Sequence, residues 1–169
     1  PTEREYILEV VRFITRFHLS CLSEVSFDKA WKLLFKLSYK AESSALAFTY
    51  LELYPNSVAA LLRAAHCSEM PQQSKQAMFM FAHAAHLLPD GESTTRTHCI
   101  EALVRCWRHT ELGPFFLDHE AEDWKMNRTL YSKYEDAFRD PEIRHLVRRE
   151  VSNVMAEIGL APALPSIAS

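Results

Sequence analysis

The chain has very little with which to interrupt a helix. It holds three glycines in 169 residues, and its prolines stand between apolar stretches instead of inside them. Glycine and proline cost a helix interior most, about 1 and 3 kcal/mol relative to alanine. A chain short of both, and rich in leucine, alanine and glutamate, is expected to be helical almost throughout. The apolar period agrees. Ile7, Val10, Val11, Ile14 and Phe17 recur at helical spacing, with Glu5, Glu9, Arg12 and Arg16 on the other side. Thr2 and Glu5 form a capping box ahead of them, which predicts a first helix over residues 3–22.

Seven more helices follow from the same signals. Ser26 is read as the cap of a second, carrying Ala30, Trp31, Leu34 and Leu37. A third covers residues 42–53 and stops at Tyr54-Pro55-Asn56, because the residue before a proline is pushed out of helical geometry. The fourth runs from 58 to 68. After the break at Met70-Pro71 a fifth continues to Leu88. The sixth spans 93–109, ahead of the break at Leu112-Gly113-Pro114. The seventh, over 122–139, sets Trp124, Asn127, Tyr131, Tyr134 and Phe138 in one stripe. Asp140-Pro141 opens the eighth with a capping carboxylate and a proline at the first helical position, and Gly159 closes it. Nothing reads as a strand. Helices on short turns pack as antiparallel neighbours, so the expected fold is an all-α array in one domain over 1–160, with a loose tail over 161–169.

Composition excludes several classes of function. Apolar residues make up 48% and charged residues 24%, the balance of a globular chain and not of a disordered one. Formal net charge is −3, a poor electrostatic footprint for binding nucleic acid. No apolar run approaches the roughly 20 residues that cross a bilayer. The start, Pro1-Thr2-Glu3-Arg4, has no signal-like apolar core, and without an initiator methionine the chain reads as a processed product or a piece of a longer protein. Cys21, Cys67, Cys99 and Cys106 lie in apolar helical surroundings without close spacing. Four buried thiols in a cytoplasmic or nuclear setting are expected, not disulfides.

Pro55 and Pro89 lie 34 residues apart, each after an apolar helix end. Counting back from Pro89, Ala77, Phe81 and Ala84 take the alanine, aromatic and alanine of a second helix, and Leu61 and Ala65 the large and small positions of a first. This resembles a tetratricopeptide repeat over residues 58–90. Small residues at 65, 77 and 84 let paired helices approach, and Leu61 and Phe81 fill the space beside them. Upstream, Phe27 takes the first apolar position, while Trp31 stands where the family has a small residue. The resemblance implies a helical solenoid with a repeat core over 24–110 and capping helices over 122–159. The last of these helices has a polar face of Arg144, Arg148, Arg149, Asn153 and Glu157.

In stacked pairs of this family the first helices line a concave groove. The resemblance puts Asp28, Lys32, Phe35, Lys36, Leu62, Arg63, His66, Glu69 and Arg96 on it. That lining is locally basic, so an acidic peptide or helix of a partner protein is the implied ligand. The family's carboxylate clamp is not present, because its positions hold Asp28, Lys32, Arg63, Ser93 and Thr97. The implied role is a non-catalytic adaptor with no cofactor. The alternatives are the terminal segment of a longer scaffold serving assembly or dimerisation, and a small helical metal protein or enzyme. An exposed apolar face on the first or eighth helix would favour assembly.

The sequence offers little for catalysis or metal binding. His66-Cys67 and His98-Cys99 are adjacent pairs pointing about 100° apart on a helix, poorly placed to chelate together. His18 and Cys21 lie three apart but lack a second pair, and His83 and His86, also three apart, could share a metal but are read as bordering the packed face beside Ala84. No glycine-rich phosphate loop, nucleophile elbow or His-Glu-x-x-His occurs. Asp118, Glu120, Glu122 and Asp123 around His119 read as a loop and an acidic helix start. The run Met78-Phe79-Met80-Phe81 makes its helix apolar all round, so burial on every side is expected.

Overall fold

The computed structural model describes residues 2–118 and 121–159, and every regular element among them is helical. The expected tail over 161–169, and His119 with Glu120, lie outside the described residues. The fold is all-α. The chain falls into two compact units, with the boundary between Cys67 and Ser68.

The first unit holds α1 (Glu3–Phe17), α2 (Glu24–Lys36), α3 (Lys40–Leu53) and α4 (Val58–Cys67). Helix α1 begins as the capping box predicts, with the Thr2 hydroxyl accepting from the Glu5 N–H and the Glu5 carboxylate accepting from the Thr2 N–H. It ends earlier than expected and passes into a 3-10 turn at Leu19–Cys21. The cap of α2 is Ser23, not Ser26. Ser23 sits in extended geometry and accepts from the Ser26 N–H at 3.1 Å, so Ser26 is already three residues inside the helix. Helices α2, α3 and α4 pack on one another. Phe27, Trp31 and Leu34 of α2 are buried, as are Leu46, Ala47 and Tyr50 of α3 and Ala60, Leu61, Ala64 and Ala65 of α4. The Phe27 and Tyr50 rings stack at 4.3 Å, and the Tyr50 hydroxyl donates to the Leu22 carbonyl.

The link from α2 to α3 is a Schellman closure. The Tyr39 N–H bonds the Leu34 carbonyl and the Ser38 N–H bonds the Phe35 carbonyl, around Ser38 at φ 67°. Glycine usually takes that left-handed position, so the serine there is strained.

The second unit holds α5 (Ser74–Leu87), α6 (Ser93–Trp107), α7 (Glu122–Met126), α8 (Arg128–Lys133), α9 (Glu135–Arg139) and α10 (Pro141–Glu157). Met78, Phe79, Met80 and Phe81 are all buried, as an all-round apolar helix requires. Helix α5 packs on α6, α8, α9 and α10. The Phe79 ring meets Tyr131 and Phe138 edge-to-face, each at 4.7 Å.

One long helix over 122–139 was expected, and three short ones are found. The breaks fall at Asn127 (φ −121°, ψ 32°) and Tyr134 (φ −118°, ψ 27°), neither a glycine nor a proline. The break at Tyr134 falls between Tyr131 and Phe138, both of which meet Phe79. Asn127 stabilises the first break with both ends of its amide, donating to the Asp123 carbonyl and accepting from Lys75. The Asp140 cap on α10 and the left-handed Gly159 after it are as the sequence indicates.

The segment resembling one repeat, 58–90, supplies α4 to the first unit and α5 to the second. Its key positions Leu61, Ala65, Ala77, Phe81 and Ala84 are all buried.

Replacing Ser38 with glycine removes a left-handed penalty of about 1 kcal/mol. Part of that gain is offset by the greater freedom of glycine in the unfolded chain. Ser38→Gly is expected to stabilise by about 0.5 kcal/mol, read as a raised denaturant midpoint at unchanged slope.

Candidate functional site

The groups that could meet a ligand gather on α2 and α4 of the first unit. Helix spacing places Asp28, Lys32, Phe35 and Lys36 along one side of α2, with Trp31 between them. Arg63 and His66, three apart, rise from α4 toward that side. Arg63 Nε donates to Asp28 Oδ1 at 2.6 Å and its second nitrogen reaches Oδ2 at 3.4 Å. Lys32 meets the same carboxylate at 3.0 Å, one helical turn on. The guanidinium also lies over the Trp31 ring, 4.7 Å from its centroid. Trp31 stacks on Phe35 at 4.9 Å, and His66 stands edge-on to both rings. The tryptophan that departs from the repeat pattern is therefore the floor of the surface.

Electrostatics here differ from a simple basic groove. Burial alone would raise the Asp28 carboxyl, but the hydrogen bonds and charges of Arg63 and Lys32 outweigh it and hold it below its ordinary value. Most of the Arg63 charge is answered inside the chain. Lys29 and Lys36 are exposed, and among the described residues neither forms an ion pair. Beside them runs an open groove of about 470 Å³ lined by Glu24, Val25, Asp28, Lys29, Lys32 and Ala59. Glu24 is used structurally, accepting from the Ala59 N–H in the first turn of α4.

Seven of the expected groove residues, Asp28, Lys32, Phe35, Lys36, Leu62, Arg63 and His66, thus belong to one unit. Phe35, Lys36 and His66 are exposed, while Leu62 and Arg63 are half-buried. The other two belong to the second unit. Glu69 accepts from Arg105 at 3.2 Å. Arg96 is buried, which corrects the expectation of an exposed cation. Its guanidinium donates to the carbonyls of Ala85, Leu88 and Pro89 and reaches Glu142, so it caps the end of α5. A charge count along the sequence cannot see that geometry. What the repeat pattern missed is Val25, Lys29 and Ala59; the signal was the lysine pair Lys29 and Lys36, seven apart and so on one side of α2.

The thiols and histidines differ widely in exposure. Burial pushes Cys99 and Cys106 up to about 11 and also raises Cys67, whose sulfur faces the Trp31 indole and the Ser43 hydroxyl. Cys21 is exposed and Cys67 only half-buried, a correction to the expected four buried thiols. Cys21 sits on the short 3-10 turn that α1 gives way to. His66 and His98 are exposed beside the half-buried Cys67 and the buried Cys99, so each adjacent pair points apart. His86 pairs with Asp140, the cap of α10, at 2.8 Å, and burial lowers the affinity of His83 for a proton. Asp118 is held by Arg144 and Arg148 of α10. Among the described residues no group of three or more metal-ligating side chains converges, and no helix is long and apolar enough to cross a membrane.

Neither family models, curated proteins nor solved structures show a match to this chain.

Two measurements check this description. Alkylation of the native chain at neutral pH is expected at Cys21 first, with Cys99 and Cys106 labelled only on unfolding; fast labelling of either in the native state contradicts their burial. For Asp28, a lowered folded-state pKa stabilises the fold above the ordinary value of 3.8 and loses that contribution as pH falls through the folded value. Asp28→Asn should therefore lower the denaturant midpoint clearly at neutral pH and much less at strongly acid pH.

Proposed function

We propose that the chain is a non-catalytic protein–protein interaction module, a tetratricopeptide-like adaptor of the cytoplasm or nucleus that takes an acidic partner segment along α2 and α4. One observation carries the reading. Asp28 is shared between Arg63 and Lys32, while Lys29 and Lys36 beside it lack carboxylate partners among the described residues. Carboxylates of an extended or helical ligand would supply them. An apolar side chain of the ligand would rest on Val25 and Ala59, or on the exposed edge of Phe35 beside His66. Paired aromatic and cationic side chains of this kind are the common anchors of protein interfaces. The buried thiols and the internally paired histidine support a role without chemistry.

A second reading, assembly with other chains, is favoured by α1, a helix of 15 residues with none buried.

The groove is tested with fluorescent peptides combining acidic residues and one large apolar anchor. Lys29→Glu with Lys36→Glu is expected to weaken binding about tenfold or more and to flatten its salt dependence. A folded double variant that binds as well as wild type, or peptides bound no better than neutral scrambles, would remove the groove from consideration.

A further inference from the structure

We propose that two copies of this chain associate through α1, packed antiparallel around a two-fold axis between Val10 and Phe13. The inference rests on the assembly reading and names its partner: a second copy.

Helix α1 has two apolar arcs. Ile7, Val11 and Ile14 are half-buried and face the helix's own unit, where Arg12 pairs with Glu42 and Arg4 donates to the Leu37 carbonyl. The second arc is open. Tyr6 is 63% exposed, Val10 39%, Phe13 55% and Phe17 59%. At about 100° per residue these four fall within an arc of about 60°. Their spacing of four, three and four is the seam of a two-stranded coiled coil. Phe13 and Phe17 already touch, their ring centroids 5.2 Å apart, so the stripe is continuous. Single exposed apolar residues are ordinary on a protein surface, but a contiguous stripe of three aromatics and a valine is not.

The flanking charges say what covers it. Glu9 and Arg16 border the stripe on the side away from the half-buried arc. Among the described residues neither has an ion-pair partner, and Arg16 instead lies against the Phe17 ring. A two-fold interface requires that when residue i meets j, j also meets i. Antiparallel pairing satisfies this throughout. Tyr6 meets Phe17, Val10 meets Phe13, and Glu9 of each copy meets Arg16 of the other. Parallel pairing instead sets Glu9 level with Glu9 and Arg16 level with Arg16, so neither charge meets its opposite. The sequence of α1 is thus complementary to itself in one orientation only.

Partial burial of three aromatics and a valine per copy covers on the order of 800–1,000 Å² in total, below the roughly 1,200–2,000 Å² of stable complexes. The association is therefore weak and depends on concentration.

Sedimentation equilibrium across micromolar to millimolar protein provides the test, with far-UV circular dichroism as the folding control. Wild type is expected to shift from monomer to dimer, and Phe13→Glu to abolish the shift. Arg16→Glu sets like charges face to face twice and is expected to weaken association about tenfold. Glu9→Arg should act similarly, and the combined swap of both charges should restore affinity to within about threefold of wild type. A wild type monomeric throughout, a Phe13→Glu variant that still dimerises, or a charge swap that fails to restore association each overturns the proposal. If wild type is monomeric, capture of other proteins by tagged wild type but not by Phe13→Glu would retain assembly with a different partner. Equal capture by both would remove the assembly reading too. Peptide binding in the α2–α4 groove should be the same in Phe13→Glu and wild type, which keeps that question separate.

Discussion

A helix that is apolar on every side has to be enclosed, and α5 imposes that condition on the second unit. Met78, Phe79, Met80 and Phe81 occupy four successive directions around its axis and all are buried. Covering one direction takes a helix such as α6; covering the opposite one takes aromatic bulk at defined positions. Tyr131 and Phe138, from the short helices α8 and α9, provide that bulk around Phe79. The burial of Tyr131 in turn needs a partner for its hydroxyl, which donates to the Phe116 carbonyl at 2.6 Å and ties the irregular segment before α7 to the same cluster. One packing demand thus organises the loop, three short helices and the start of α10.

The first unit is organised differently, with charged groups doing much of the joining. Glu24 meets the exposed start of α4, Asp28 bridges α2 to Arg63, and Glu42 meets Arg12 of α1. Such pairs at a half-exposed surface contribute modestly to stability, typically below about 1 kcal/mol each. Their larger effect is on geometry. By holding Arg63 over Trp31, Asp28 fixes a flat aromatic and cationic surface in place of a mobile arginine, so less ordering entropy is lost when a ligand arrives.

Many local signals were legible in the sequence, although the cap of α2 is Ser23 and not the expected Ser26. The Thr2 and Asp140 caps, the stop at Gly159 and the enclosure of Met78 to Phe81 depend on residues within a turn or two of each other, and each was read correctly. What the sequence hid depends on distance. Asp28 and Arg63 are 35 positions apart, so the neutralisation of one groove cation was invisible. Arg96 looked like a surface charge because its acceptors are carbonyls, which no side-chain pattern reveals. The breaks at Asn127 and Tyr134 have no glycine or proline to announce them, and Tyr131 and Phe138 meet Phe79 on either side of the second. Ser38 is the converse case, a turn that forms although its residue is the wrong one for it.

The surroundings of Trp31 have an optical consequence. Its indole is buried 3% exposed, lies under a guanidinium, stacks on Phe35 and finds only the weakly accepting Cys67 sulfur near its N–H. Thiol and imidazole side chains can quench indole emission, and His66 stands against the same ring. The surface on α2 and α4 therefore carries its own fluorophore, whose emission would respond to changes around that ring.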